Sequence, residues 1–580
     1  MTQCGGNIAL GQPATEPADQ VYQLALFGTR EMTKSIETTV LIIGGGPVGM
    51  TLAIDLAWRG VDVTIVETRA AGEAVAVKCN QISSRSMEVF RRLGLADKLR
   101  EAGLPENYPV DVVSATTVTG IELSRLSFPP RVDRKTSIDA PDSWWPTPEP
   151  SHRVNQTVFE PIMFEHARSQ ERIRFLNRTM FEDYVQDEQK VVASVKNLDT
   201  NEVMLITAQY LVGCDGGKST VRRMIGGDFS GTAEIQRAQS SYIYAPTLMK
   251  LLPNKPAWMY FSLNPRRCGT TISVDGKAYW NVHNFLYNGE TSYDEIDRDW
   301  AIREILGVGP DFKYEIISKE DWMGRRLVSS KFRDRRAFIC GDAGHLWIPV
   351  SGYGMNTGIA DAADLAWMLA ATLEGWADPR ILEAYQPERQ PITEQASHLI
   401  TEVAVRVMKQ RREVPANIEE PGPEGDAARA RIAKEAYAID ARQQCAVGLN
   451  YGYYYENSPI IAYDDEAHPA YGMHHYRSST VPGSRAPHIW LSGRRSLYDA
   501  FGRYYTLLRT DHAADVSGLV EAAAQRGMPL EVLDVEQPEA FSVYDRKLTL
   551  VRPDQHVAWR GDEQPAVPSD LIDLVRGSRA

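Results

Sequence analysis

The sequence predicts an α/β chain of several domains: a parallel-sheet core, a β-rich insertion within it and a small α/β module at the C-terminus. Three observations predict this. Apolar runs at Val40–Ile43 and Val63–Val66 bracket a glycine-rich turn and a helix of small residues, the pattern of a β-α-β unit whose strands are buried on both faces. Short β-branched and aromatic runs separated by turns crowd residues 236–332. Near the C-terminus, strand-like LEVLDV and LTLVRPD accompany the helix-like VSGLVEAAAQRG.

The first unit, Thr38–Glu67, reads TTVLIIGGGPVGMTLAIDLAWRGVDVTIVE. Gly44 permits a tight turn, Gly46 lets backbone approach a pyrophosphate, and Gly49 lets the helix pack closely on the strand. Pro47 and Val48 open that helix, whose unpaired N–H groups face phosphate. Glu67 ends the second strand, where a carboxylate accepts both hydroxyls of an adenosine ribose and disfavours a 2′-phosphate; Thr68 and Arg69 follow it. The unit is Rossmann-like and binds a dinucleotide.

A second signature spans Ala337–Trp367, AFICGDAGHLWIPVSGYGMNTGIADAADLAW. A short apolar strand ends in Gly341-Asp342, and the glycines at 352, 354 and 358 lead into a helix through Met355 and Asn356. A strand-terminal Asp beside a flexible loop and a helix N-terminus suits sugar hydroxyls on one side and a planar ring on the other. Between the two lies QYLVGCDGGKSTVRRMIG, a strand ending in Asp215-Gly216, with Ser219 and Arg222 opening a helix.

With these three motifs in this order, the chain resembles the flavoprotein aromatic hydroxylases, single-component FAD monooxygenases related to para-hydroxybenzoate hydroxylase. The third motif carries that family's His-x-x-x-Pro as His345 and Pro349. The resemblance runs from Thr38 to Gly561. It implies that Arg85, in VKCNQISSRSMEVFRRLGL, contacts the flavin nucleotide and that Gln156, in HRVNQTVFEPIMFEHA, reaches the ribityl chain. GLNYGYYYENSPII, PGSRAPHIWL and KLTLVRPDQHVAWRG resemble the phenol, dichlorophenol and polyketide-tailoring hydroxylases, whose catalytic region is followed by a thioredoxin-like domain. No C-x-x-C is present, which excludes dithiol chemistry there.

The domain reading is a loose extension over 1–35, with Met32 as an alternative start; an FAD-binding domain over 36–235 and 333–410; and a β-rich substrate domain over 236–332. A linker and helical connection over 411–480, entered through the Pro-rich EVPANIEEPGPEGDAARAR, leads to the thioredoxin-like domain over 481–580. The resemblance implies bound FAD, transient NADH or NADPH, and a flavin C4a-hydroperoxide delivering oxygen to a phenolic or related aromatic ring. It also implies a homodimer. Asp342 and Pro349 shape the flavin pocket, and the glycines at 352 and 354 permit backbone contact with the ring. No second glycine fingerprint separates NADH from NADPH.

Residues 236–332 carry specificity and are dense in aromatics. The candidates for substrate chemistry are His283 as a general base, with Tyr242, Tyr260 and Tyr353 on the substrate side. Arg266, Arg267, Arg325 and Arg326 are the possible anchors for a carboxylate, but arginines usually sit on the surface, so an uncharged or weakly acidic phenol is favoured over a benzoate. Two departures from the family pattern stand out: Ser351 occupies the first of two usual glycines, and Gly344 replaces the commoner alanine. A Baeyer–Villiger oxygenase of the same fold, acting on a polycyclic ketone, and a non-catalytic FAD-binding sensor share these motifs and stay open. The W-x-W-x-I-P pattern of flavin halogenases is absent.

Composition bounds the rest. A chain of 580 residues with 63 basic and 76 acidic side chains has a net charge of -13, which argues against nucleic-acid binding through its bulk field. No apolar run has spanning length and the first residues lack a signal-peptide core, so a cytoplasmic protein off the membrane is expected. Six scattered cysteines imply neither a disulfide framework nor a metal site.

Overall fold

The computed structural model describes residues 35–287 and 289–579. The extension expected over 1–35 lies, up to residue 34, outside the described residues. The first strand, Ser35–Ile43, starts at once and is fully buried from Val40 on. It is central because its apolar run can be covered on both faces: Val203–Gly213 and Val63–Val66 pair with it in parallel on either side. Ala337–Ile339 extends the sheet beyond Val203–Gly213, and Ile173–Leu176 extends it beyond Val63–Val66. The helices Pro47–Trp58 and Tyr353–Leu373 pack on one another against this sheet. Both are apolar on nearly every side because both are enclosed.

A second, nine-stranded sheet is mostly antiparallel, in the order His345–Trp347, Trp322–Ser329, Phe229–Tyr244, Tyr279–Phe285, Gly269–Ser273, Met259–Ser262, Val112–Ala115, Glu122–Leu126. Glu315–Lys319 joins it beside Phe229–Tyr244. This corrects the segment boundaries. Val112–Ala115 and Glu122–Leu126, read as part of the nucleotide domain, belong to this sheet, because VVSA is buried along its whole length and finds a parallel partner in Met259–Ser262. His345–Trp347 also crosses into it, so the Gly341-Asp342 turn is tied to both sheets.

The stretch after residue 411 is helical over much of its first part. Tyr385–Arg412 continues past it, and Pro423–Gln444 lies along the edge strand Glu122–Leu126. The C-terminal module has four strands in the order Leu530–Asp534, Tyr505–Arg509, Leu548–Val551, Val557–Gly561, the first pair parallel and the others antiparallel. Trp367 meets Tyr505 edge to face at 5.9 Å, joining this module to the helix Tyr353–Leu373. Fully buried Arg552 reinforces the junction with bonds to Glu388, Asp364 and Asp554. Among the described residues, no helix is long and apolar enough to cross a membrane.

Candidate active site

One cavity of about 610 Å³ lies between the two sheets. At one end are Gly46, Pro47 and Val48; along it run Asp342, Pro349 to Gly352, Gly354 and Met355; at the other end stand His283, Phe285 and Trp322. All three motifs therefore reach one space.

The first end is built by backbone sterics. Gly44 turns with φ +106°, and a Cβ there would lie 2.3 Å from the Cys214 carbonyl oxygen. A Cβ on Gly49 would lie 2.1 Å from the Gly44 carbonyl oxygen, so the helix sits as close as a glycine allows. Gly46 has open space on its Cβ side and lines the cavity. Glu67 closes this end: its Oε2 accepts from Gly45 N at 2.8 Å and its Oε1 from Arg69 N at 2.8 Å. Burial opposes its ionisation, but the bonds from Arg69 and Gly45 outweigh that and hold the carboxyl below its usual range. Arg69 reaches back to Glu160, which also accepts from Gln156 Nε2 at 2.6 Å. Gln156 lines the cavity.

Gly341-Asp342 is held by residues far along the chain. Asp361, fully buried on the helix Tyr353–Leu373, accepts from Gly341 N at 3.2 Å, bonds His345 Nε2 at 3.2 Å and takes Arg389 Nε at 2.9 Å. Burial works against a charge on Asp361, yet Arg389 and His345 together bring its carboxyl below the ordinary value. The network fixes the turn so that the Asp342 carboxyl opens into the cavity. Burial raises Asp342, with His345 and Lys78 pulling the other way.

Next to this turn, Ser351 stands at φ +65° and Gly352 at φ +68°. Ser351 is a non-glycine residue in left-handed backbone, and its Oγ is buried on the cavity wall with no partner. Asn356 pins the segment from behind, accepting from Ser83 N at 2.8 Å and donating to Gly352 O at 2.7 Å. Gly354 and Met355 line the cavity.

Several residues singled out in the sequence act indirectly. Asp215 Oδ2 accepts from Thr220 N at 2.8 Å and caps a short helix, while its Oδ1 is buried without a partner; Gly216 beside it lines the cavity. Arg222 lies off the cavity wall, donates to the carbonyls of Gly217 and Ala343 at 3.2 Å and stacks over Phe229 at 3.7 Å. Arg85 is a correction: it faces the C-terminal module, bonding Glu88 at 3.0 Å and Asp554 O at 2.6 Å. Thr68 bonds Glu67 Oε1 at 3.2 Å on the exposed rim.

The tyrosines are corrected by strand alternation. Ser240, His283, Thr270 and Phe261 line the cavity; Ser240 pairs with His283, His283 with Thr270, and Thr270 with Phe261. Tyr260 alternates with Phe261, so it points away, and its Oη accepts from Ala257 N at 2.8 Å within a separate core. Tyr242 lies on the cavity face two residues beyond Ser240 but past the cavity's end, stacked on Tyr279 at 5.5 Å. Tyr353 is buried toward Ala446 and Asn450.

His283 does line the cavity. Trp322 Nε1 donates to its Nδ1 at 3.4 Å, which assigns the proton of the neutral ring to Nε2. Burial first, and Arg411 second, push the imidazole down to about 4. A ring that weakly basic is a hydrogen-bond donor near neutral pH, and the general-base role expected of it does not suit its surroundings.

The arginines considered as anchors lie elsewhere. Arg266 pairs with Glu304 and Glu419, Arg267 with Glu290 at 2.8 Å, and Arg326 with Glu394 at 2.7 Å, while Arg325 is no part of the cavity wall. The cavity arginine is Arg411, its guanidinium 3.5 Å from the Phe285 ring centre. Arg411, Asp361 and Arg389 were all missed in the sequence: Arg389 and Arg411 sit in a long polar helix pattern, and Asp361 lies within the Gly341-Asp342 signature, where only the fold shows its partners.

The donor set fits FAD. The open face of Gly46 at a helix N-terminus suits a pyrophosphate, Glu67 suits a ribose, and the Asp342 carboxyl with the Ser351–Met355 backbone suits a polar flat ring.

Comparison with known proteins agrees. Residues 37–399 match the family described as FAD binding domain, and residues 479–576 match aromatic-ring hydroxylase, C-terminal. The chain is 30% identical to the FAD-dependent monooxygenase apdD of Emericella nidulans, covering 90% of this chain and 87% of that one. It is 29% identical to a phenol 2-monooxygenase of Pseudomonas sp., covering 96% and 95%. Among solved structures, the rebeccamycin biosynthetic enzyme RebC with reduced flavin has a TM-score of 0.85 and 35% identity, covering 94% of this chain and 100% of that one. The flavin-dependent monooxygenase PieE, in complex with FAD and substrate, has a TM-score of 0.81 and 26% identity over the same shares. The chain belongs to the single-component FAD monooxygenases of the aromatic-ring hydroxylase family.

Proposed function

We propose that this chain hydroxylates a phenolic or related aromatic ring, using NADH or NADPH and dioxygen with FAD bound. The observation that carries the reading is the single cavity in which the nucleotide-binding end and the aromatic face of the second sheet meet. FAD supplies the redox chemistry and the oxygen transfer when bound. Gly46 and the start of the helix Pro47–Trp58 would hold its phosphates, Glu67 its ribose, Gln156 and Asp342 its ribityl chain, and the Ser351–Met355 backbone its ring.

The chain's own work is to orient the substrate and keep water out. Trp258, Phe261, Phe285 and Trp322 form an apolar wall against which an aromatic ring packs. His283 Nε2–H donates to an oxygen on that ring, which stabilises negative charge there without removing the proton itself. The Asp361–His345–Arg389 network keeps the Gly341 turn in place while the site is filled and emptied. A ketone oxygenase would share this cavity, and product analysis separates the two.

The test is to follow NADH and NADPH oxidation by the FAD-bound protein across a panel of phenols and naphthols, recording oxygen uptake and product mass together. Stimulation coupled to a gain of one oxygen on the ring supports the reading. No stimulation by any aromatic compound, or stimulated oxidation that leaves every ring unchanged, refutes it.

A further inference from the structure

Arg411 is an unpaired cation inside the cavity. It sits near the end of the helix Tyr385–Arg412, and its guanidinium lies 3.5 Å from the Phe285 ring centre. Phe285 and Trp322 meet edge to face at 6.1 Å, and His283 meets Trp322 the same way at 6.1 Å, so all four side chains form one cluster on the wall. Among the described residues, the guanidinium makes no hydrogen bond and no carboxylate lies within ion-pair distance of it.

The charged neighbours do not neutralise it. Asp440 faces Arg411 through a longer gap and accepts from Ser114 Oγ at 2.9 Å; burial raises it to about 7, so it carries only part of a charge near neutral pH. Cys268 and Tyr287 also face Arg411, and burial keeps both in their neutral forms. Of the acids on the cavity wall near the sheet, Asp321 pairs with Arg298 at 2.6 Å, while Glu320 accepts from Val77 N at 2.9 Å through Oε1 and its Oε2 is buried without a partner; neither lies within ion-pair distance of Arg411. Burial lowers Arg411 itself to about 10, and its neighbours Cys268, Tyr287 and Asp440 only partly offset that.

A cation in such a place costs free energy unless something completes it. The Phe285 face satisfies the guanidinium's π surface but leaves its in-plane N–H fork free, and that fork matches two coplanar oxygens. We propose that the substrate is an aromatic acid whose carboxylate is held by Arg411, with the ring packed along Phe285 and Trp322 and an oxygen near His283 Nε2. This rests on the reading of the cavity as an aromatic hydroxylation site and replaces the uncharged phenol expected from the sequence. Gln444 Oε1, buried on the same wall with no partner, offers an acceptor for a further hydroxyl of the substrate.

The test reads binding without turnover. Dissociation constants for 6-hydroxy-2-naphthoate and 6-hydroxy-2-naphthamide are measured from the perturbation of the flavin spectrum, in the FAD-bound wild type, Arg411→Met and Arg411→Lys. In the wild type the carboxylate binds at least tenfold more tightly than the amide. In Arg411→Met the two agree within about twofold while the amide's affinity stays put, and Arg411→Lys retains part of the preference. Equal binding of acid and amide by the wild type, failure of the acid to bind, or a preference that survives in Arg411→Met overturns the proposal. An acid preference that depends on Arg411, with no aromatic-stimulated NAD(P)H oxidation, leaves the anchor standing and refutes hydroxylation instead.

Discussion

His345 and Asp361 meet in a fully buried bond of 3.2 Å behind the Gly341 turn, and Asp361 also holds the turn's own N–H. One carboxylate thus links a loop at the cavity to Arg389 on a neighbouring helix. Asp361→Ala strands the Arg389 charge and loosens the turn, at about 3–5 kcal/mol for an uncompensated buried partner. Thermal unfolding and FAD content of the purified variant check this. A stable variant that retains its flavin would show that the network is dispensable.

Ser351 bears a left-handed backbone that costs a non-glycine residue about 1–2 kcal/mol. Ser351→Gly therefore holds or raises the melting temperature, where glycine in ordinary backbone lowers it. Ser351→Ala keeps the strain and removes the orphaned hydroxyl from the cavity wall. A flavin spectrum shifted equally in both variants identifies that hydroxyl as a flavin contact; a melting temperature lowered by Ser351→Gly contradicts the strain.

Arg552 joins the C-terminal module to two helices of the FAD-binding domain, through Glu388 at 2.6 Å and Asp364 at 3.0 Å. Arg552→Ala leaves those acids buried and unpaired, again at about 3–5 kcal/mol. The expected outcome is a module that loosens first, seen as faster amide exchange across Leu548–Gly561. Uniform exchange in wild type and variant would remove Arg552 as the junction.

Acid weakens the fold through its histidines. Burial drives His152 and His488 down to about 3 and His283 and His556 to about 4, below the ordinary 6.5. Neutral rings are favoured in the folded state, so the stability they contribute is present above pH 6.5 and is lost as pH falls toward 4. Asp440 acts in the opposite sense: raised to about 7, it favours the folded state below 3.8 and loses that contribution as pH rises through 7. Melting temperatures from pH 4 to 8 should fall at the acid end, less steeply for His488→Gln, and Asp440→Asn should gain on the wild type as pH rises. A His488→Gln profile as steep as the wild type's at the acid end contradicts the histidine assignment, and an Asp440→Asn variant that tracks the wild type as pH rises contradicts the other.

The nucleotide end was legible because its constraints are local. Gly44, Gly49 and Glu67 are fixed by steric and hydrogen-bonding demands within one β-α-β unit, and those demands leave a spacing in the sequence. Gly341, Asp342 and Pro349 were legible for the same reason. The substrate end was not. Whether Tyr260 or Phe261 faces the cavity depends on a one-residue register that aromatic content does not encode. Arg411 lies in a helix whose polar residues look like any solvated face, and only tertiary packing turns it inward; Asp361 lies in an apolar helix, but its partners Gly341, His345 and Arg389 are set by tertiary packing alone. Arg85 was misplaced because the C-terminal module, 470 residues along the chain, supplies its partner Gln555.

The most direct test of the central claim is incorporation of ¹⁸O₂ during NAD(P)H oxidation by the FAD-bound protein with a hydroxynaphthoate. Hydroxylation predicts one labelled oxygen on the aromatic ring of the product, none from labelled water, and oxidation that rises with the substrate. Substrate-stimulated oxidation in which all the label is recovered as hydrogen peroxide, with the ring unchanged, would contradict it.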